Sequence, residues 1–216
     1  MFPFISVALA EEAETTWSGM GQNTWIVLIA AAMLIAVFAL SSATRKIWNA
    51  KSIAFGALCL ALSFVLRYVK LFEMPQGGSV TLASMFPLML FAAAYGVGPG
   101  MLVGTAYGFL RYLSGGYFVH PVQFLLDYPL AFALIGLTGL YLHLPKEWSK
   151  WSLYACMALG AVGRAASATL AGVFFWDTAF WPSLVYNGTY LIPDTIICLI
   201  IAVPLASRLM KIMRAR

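Results

Sequence analysis

Apolar runs of about 14 to 25 residues recur along the chain, separated by short polar, basic or glycine-rich strings. Seven can be drawn: about 24–42, 52–72, 82–95, 100–113, 120–142, 152–175 and 183–207. Runs of this length exceed what a core strand uses, and in hydrocarbon only a helix satisfies its own backbone groups. The pattern therefore predicts an all-α integral membrane protein. Two runs, 82–95 and 100–113, are shorter than a full crossing, which predicts tilt or a partly buried loop there. MPQGGSVTL, SGGYFV and FWDTAFWP read as loops between runs. Gly100, Gly104 and Gly108 make a small-residue stripe, most simply read as internal helix packing, and Ala57 and Ala61 make a weaker pair of the same kind.

Composition agrees, with 62% hydrophobic residues and only 10% charged. Nine of the 13 basic residues fall in three patches: Arg45, Lys46 and Lys51; Lys146 and Lys150; Arg208, Lys211, Arg214 and Arg216. Taken as cytoplasmic loops, the patches predict an N-terminus outside, a C-terminus inside and a multi-pass protein of the cell membrane. The net charge of +5 belongs to these loops and does not suggest a nucleic-acid partner. Residues 1–10 read as a short extracytoplasmic lead-in rather than a cleaved signal, since no basic residue precedes the apolar stretch. The expected divisions are 1–51 (lead-in, first span and basic loop), 52–207 (the membrane domain) and 208–216 (a basic cytoplasmic tail).

Chemistry is narrowed mainly by what is missing. No Walker A string, HExxH or Cys/His cluster occurs, so neither ATP hydrolysis by this chain nor a metal site is expected. Cys59, Cys156 and Cys198 lie singly inside apolar runs and read as small buried side chains. The charges that escape the loop pattern carry more information: Arg111, Asp127, Arg164 and Asp194. A charge near the bilayer centre costs roughly 2.5–3.5 kcal/mol on insertion scales, so such groups pair or face a polar cavity. Arg164 and Asp194 fall at similar depth, which predicts either an ion pair or a shared polar site. Asp127 has no evident partner except Arg164 or a cationic ligand. Tyr117, Tyr128, Trp176, Trp181, Tyr186, Asn187 and Tyr190 cluster toward the outer ends of the spans. Interface belts account for several of these aromatics, but an amide within a span needs partners. Aromatic faces beside a carboxylate suit a flat cationic ligand.

The strings MPQGGSVTLASMFPLM, HPVQFLLDYPLAFALIGLTGL, AGVFFW and SLVYNGTYLIP, in that order and spacing, resemble the thiamine-binding S-components of energy-coupling-factor vitamin transporters over about residues 52–207. The resemblance implies a six-helix membrane domain preceded here by one extra helix, and substrate capture without enzymatic activity or a cofactor. The partners it implies are thiamine, a membrane-embedded coupling protein and two cytosolic ATPases. Its site residues would be Asp127, Tyr128, Arg164, Trp176, Asn187 and Tyr190, under a lid that includes Gln76, Gly77, Gly78 and Ser79. Ala57 and Ala61 would touch the coupling protein. Two positions depart from the family pattern: Ala168 stands where a histidine is common, and Pro182 where an aromatic is common. Open alternatives are a thiamine precursor or another vitamin as ligand, and a small intramembrane enzyme using Asp127 with Asp194 or His120 as acid and base.

Overall fold

The structure, a computed structural model, describes residues 48–74, 77–145, 149–176 and 178–214, with isolated positions in the first apolar run. The expected first span at 24–42, the 1–10 lead-in and Gln76 lie outside the described residues. Six helical segments and one hairpin make up the remainder: α1 (Ala50–Leu66), β1 (Lys70–Glu73), β2 (Ser79–Thr81), α2 (Phe86–Tyr95), α3 (Val97–Leu113), α4 (Pro121–His143), α5 (Ser149–Phe175) and α6 (Phe180–Arg214). Three of them, α4, Trp151–Phe175 within α5, and α6, are long and apolar enough to cross a membrane; α1 and α2 are shorter apolar helices. Apolar side chains such as Val162 (62% exposed) and Val203 (65%) face outward, the surface a lipid environment covers.

The centre of the fold is α2, in which every residue from Phe86 to Ala94 is buried. Pro87 in its first turn suits the helix start, where no backbone N–H partner is required. Gly96, at φ +100°, ends it and lets α3 start at once, so the GVGPG string is a one-residue break rather than a loop. Arg214 donates to the carbonyls of Ala93 and Ala94, and the Tyr95 hydroxyl donates to Met213 O at 2.8 Å. The end of α6 is thereby fastened to the end of α2. The basic stretch from Arg208 to Arg214 continues α6 instead of forming a separate tail.

The glycine stripe is packing, as the spacing suggested. A Cβ on Gly104 would land on the Phe132 carbonyl, and one on Gly108 on the Tyr128 carbonyl at 2.5 Å, so α3 lies against the backbone of α4. Gly136 and Gly139 on α4 answer Gly100 and Gly96 in the same way.

Two sequence expectations change. The second span was drawn through residue 72, but α1 stops at Leu66, and Lys70–Glu73 is a strand paired antiparallel with Ser79–Thr81. Within MPQGGSVTL, Ser79–Thr81 is therefore the second strand of a hairpin, with Phe72 opposite Val80 and Glu73 opposite Ser79. Secondly, α4 is irregular: its α-helical start at Pro121–Leu125 widens to a π-turn over Leu126–Leu130, returns to α over Ala131–Leu134 and tightens to 3-10 over Ile135–His143. Pro129 lies inside the π-turn and lacks the N–H an α-helix would use there, so the wider turn absorbs the missing bond. Ser167 Oγ on α5 donates to the Leu126 carbonyl at 2.6 Å and braces the widened turn.

Candidate functional site

The π-turn of α4 carries Asp127 and Tyr128 and widens the helix where they sit. Both line a cavity of about 950 Å³ bounded by the hairpin, the end of α3, and α4, α5 and α6. The other expected site residues line it too: Arg164 and Trp176 from α5 and its end, Asn187 and Tyr190 from α6, and Gly77, Gly78 and Ser79 from the hairpin. Residues more than a hundred positions apart in the chain thus share one chamber. Ala57 and Ala61 lie away from it, exposed on α1.

Asp127 does have a protein partner. Gln123, one turn earlier on α4, donates from Nε2 to Asp127 Oδ2 at 2.6 Å, and Trp176 approaches the same carboxylate. Gln123 was not singled out from the sequence, although the i, i+4 spacing places it on the Asp127 face. The Tyr128 hydroxyl accepts from the Tyr117 N–H at 2.8 Å, and the Tyr117 ring meets Trp176 edge-on at 6.3 Å. On α6, Asn187 donates to the Ser183 carbonyl at 2.9 Å and accepts from the Tyr190 hydroxyl at 2.6 Å. The amide inside a span therefore has its partners and is held in one orientation.

Arg164 and Asp194 both line the cavity, and they act on each other electrostatically without forming an ion pair. The ion pair found among the described residues is Lys70–Glu73, at 2.6 Å. Arg164 instead stands over the Phe132 ring, 4.4 Å from its centroid. Asp194, 2% exposed, accepts at Oδ1 from the Thr81 N–H (3.0 Å) and from Thr81 Oγ1 (2.7 Å). Its role in the structure is to fasten β2 to α6. Nearer the turn, the Gly78 N–H donates to the Tyr186 hydroxyl at 3.1 Å, and a Cβ on Gly78 would meet the Tyr190 ring at 2.6 Å. The hairpin turn rests directly on α6 aromatics.

Ala168 and Pro182, the two departures from the expected pattern, also face the cavity. So do Arg67, Lys70, Glu73, Tyr107 and Arg111, which the sequence reading did not assign to a site. Among the described residues no group of three His, Cys, Asp or Glu is arranged to hold a metal ion. The chamber can accept a planar, partly cationic small molecule: its lining combines the Asp127 carboxylate, aromatic side chains from α3, α4, α6 and the end of α5, and the Gln123 and Asn187 amides.

Comparison with known proteins places these features in a family. Residues 53–214 match the thiamine transporter protein family (Thia_YuaJ). The thiamine transporter ThiT of Bacillus subtilis is 36% identical over 158 residues, covering 64% of this chain and 82% of that protein. ThiT of Lacticaseibacillus paracasei is 30% identical over 136 residues, covering 54% of this chain and 68% of its own. Among solved structures, ThiT from Listeria monocytogenes matches with a TM-score of 0.62 at 25% identity, covering 75% of this chain and 96% of that one.

Proposed function

We propose, from the premise that this chain belongs to the thiamine transporter protein (Thia_YuaJ) family, that it is the substrate-capture subunit for thiamine uptake. The observation that carries this reading is the convergence of Asp127, Tyr128, Arg164, Trp176, Asn187 and Tyr190 on one cavity beneath the hairpin. Asp127 pairs with the cationic thiazolium ring. Trp176 stacks, Asn187 and Tyr190 hydrogen-bond the pyrimidine, and Arg164 orients the ligand from the deeper side. The hairpin with Gln76, Gly77, Gly78 and Ser79 serves as the lid.

Since this chain lacks a nucleotide-binding motif, import draws energy from partners: a membrane-embedded coupling protein and two cytosolic ATPases, as in energy-coupling-factor transporters. The exposed Ala57 and Ala61 on α1 offer a smooth face for the coupling protein. The six described helices form the capture domain, one further helix precedes them, and the basic loops put the C-terminus in the cytoplasm and the cavity mouth outside. A family of transporters leaves the intramembrane-enzyme alternative without support.

The test is titration of the purified, detergent-solubilised chain with thiamine, read by tryptophan fluorescence, since Trp176 borders the cavity. Saturable quenching is expected; no binding at micromolar thiamine overturns the reading. Asp127→Asn removes the charge and keeps the shape, and should weaken binding about tenfold or more. Equal affinity would refute charge pairing. A second reading, a thiamine precursor as ligand, is favoured by Ala168 and Pro182, whose small side chains contribute little to the wall; competition by the separate pyrimidine and thiazole moieties distinguishes it.

A further inference from the structure

Gln123 lies in the first turns of α4, behind the cavity wall, with 0% of its surface exposed. A buried primary amide is costly unless its donors and its acceptor are met, and packing alone would be served by an apolar side chain of the same size. All of its polar atoms are used. Oε1 accepts from the Val119 N–H at 3.1 Å. Nε2 donates to Asp127 Oδ2 at 2.6 Å and, at a longer 3.5 Å, to the Tyr117 carbonyl. The amide can take only this orientation. Turned over, it would set Oε1 against the Asp127 carboxylate and Nε2 against the Val119 N–H, both repulsive and both shut away from water.

These bonds fix what Asp127 presents to the cavity. A hydrogen bond to an ionised carboxylate is short and strong, and it holds the side chain in one rotamer. A charge held in place before the ligand arrives does not have to be ordered when it binds. The same amide also reaches the connection between α3 and α4. Tyr117 gives its carbonyl to Gln123 and its N–H to the Tyr128 hydroxyl, so the two site residues of the π-turn act on the same backbone, Asp127 through Gln123 and Tyr128 directly. The Tyr117 ring meets Trp176, and Trp176 approaches Asp127, which closes a circuit of four side chains. The start of α4 is itself held. His120 caps the helix, its Nδ1 accepting from the Val122 N–H at 3.1 Å, and its ring stacks on Phe175 at 5.0 Å. Gln123 therefore stands on a fixed base, one helical turn from the charge it holds.

We propose that Gln123 is a positioning residue for substrate capture. It does not touch the ligand; it holds the Asp127 carboxylate and the backbone of Tyr117 and Val119 in the geometry that receives the cationic ring. This rests on reading the cavity as a thiamine site in which Asp127 supplies the countercharge.

The experiment is a double-variant cycle on the full purified chain, titrated with thiamine into the millimolar range and read by tryptophan fluorescence. Gln123→Met fills the same space without the amide and should weaken thiamine about tenfold or more. Gln123→Met combined with Asp127→Asn should lie within about threefold of Asp127→Asn alone, because the charge that Gln123 serves is already gone. Gln123→Glu with Asp127→Asn transposes the pair, keeps one hydrogen bond between them, and serves where Gln123→Met does not fold. It should bind thiamine as weakly as Asp127→Asn. Recovery to within about threefold of wild type would put residue 123 itself on the ligand and overturn a positioning role. Wild-type affinity in Gln123→Met overturns the role directly. Losses that multiply in the double variant overturn it too, by making Gln123 a structural residue that acts independently of Asp127. Wild type that does not bind thiamine overturns the thiamine reading, and the role of Gln123 with it.

Discussion

Asp194 permits a sharp test of how the hairpin is held. Its Oδ1 accepts two hydrogen bonds from Thr81, one from the backbone N–H at 3.0 Å and one from Oγ1 at 2.7 Å, at a position 2% exposed. Hydrogen bonds to a charged group contribute about 1.5–3 kcal/mol net, and stranding a buried donor costs a similar amount. The two bonds share one oxygen and are not fully additive, so Asp194→Ala should destabilise hairpin docking by about 2–4 kcal/mol. Thr81→Val removes one bond and keeps the backbone one, and should cost about half as much. Asp194→Asn keeps an acceptor oxygen without the charge and should resemble Thr81→Val. Native-state hydrogen exchange reads this locally: 2 kcal/mol corresponds to about 30-fold faster exchange at the Thr81 amide if it exchanges through hairpin opening. Amides of α2, buried along its length, should keep their protection. On the transport reading, stopped-flow fluorescence should show faster thiamine release in the same rank order. Unchanged Thr81 exchange in Asp194→Ala would refute the anchoring role; loss of protection throughout α2 would make Asp194 a determinant of the whole fold instead.

The two other predictions concern glycines whose space is taken. Gly78→Ala places a Cβ 2.6 Å from the Tyr190 ring, so the hairpin turn must lift; thiamine affinity should fall about tenfold with the melting temperature nearly unchanged, and unaltered affinity would mean the turn does not close the site. Gly104→Ala drives a Cβ into the Phe132 carbonyl, which cannot move without shifting α4; overpacking of about 1–3 kcal/mol should lower the melting temperature by several degrees. Gly188→Ala, which meets only the flexible Ile192 Cδ1 at 3.5 Å, serves as the contrast and should leave it level or slightly higher.

What the chain discloses without a structure follows the range of the physics involved. Long apolar runs specify helices locally, so α4, α5 and α6 fall where periodicity and hydropathy put them. The end of α1 was illegible because Tyr68, Val69, Leu71 and Phe72 carry the apolar run on past Leu66, while the pairing of Lys70–Glu73 with Ser79–Thr81 depends on a turn and a partner strand. The π-turn was not read from the sequence, because whether a proline such as Pro129 kinks, ends or widens a helix depends on neighbours such as Ser167, 38 residues on. The site residues were reached through misfit charges and string resemblance. Arg67 and Lys70 escaped because they fall near the end of the 52–72 run, where a long basic side chain reaches the interface and needs no explanation.

The misfit charges themselves make a stronger criterion than any single residue. Of the described acids, Glu73, Asp127 and Asp194, all line the cavity, as do all four basic residues outside the patches. A membrane protein meets a cost of roughly 2.5–3.5 kcal/mol for each charge at the centre of a span, so a sequence keeps such charges only where a polar chamber or a ligand offsets them. Seven charges drawn from the end of α1, the hairpin, α3, α4, α5 and α6 cannot share one chamber by local propensity, because they are spread over more than a hundred residues of chain, from Arg67 to Asp194. Packing alone would be served better by apolar side chains at the same positions.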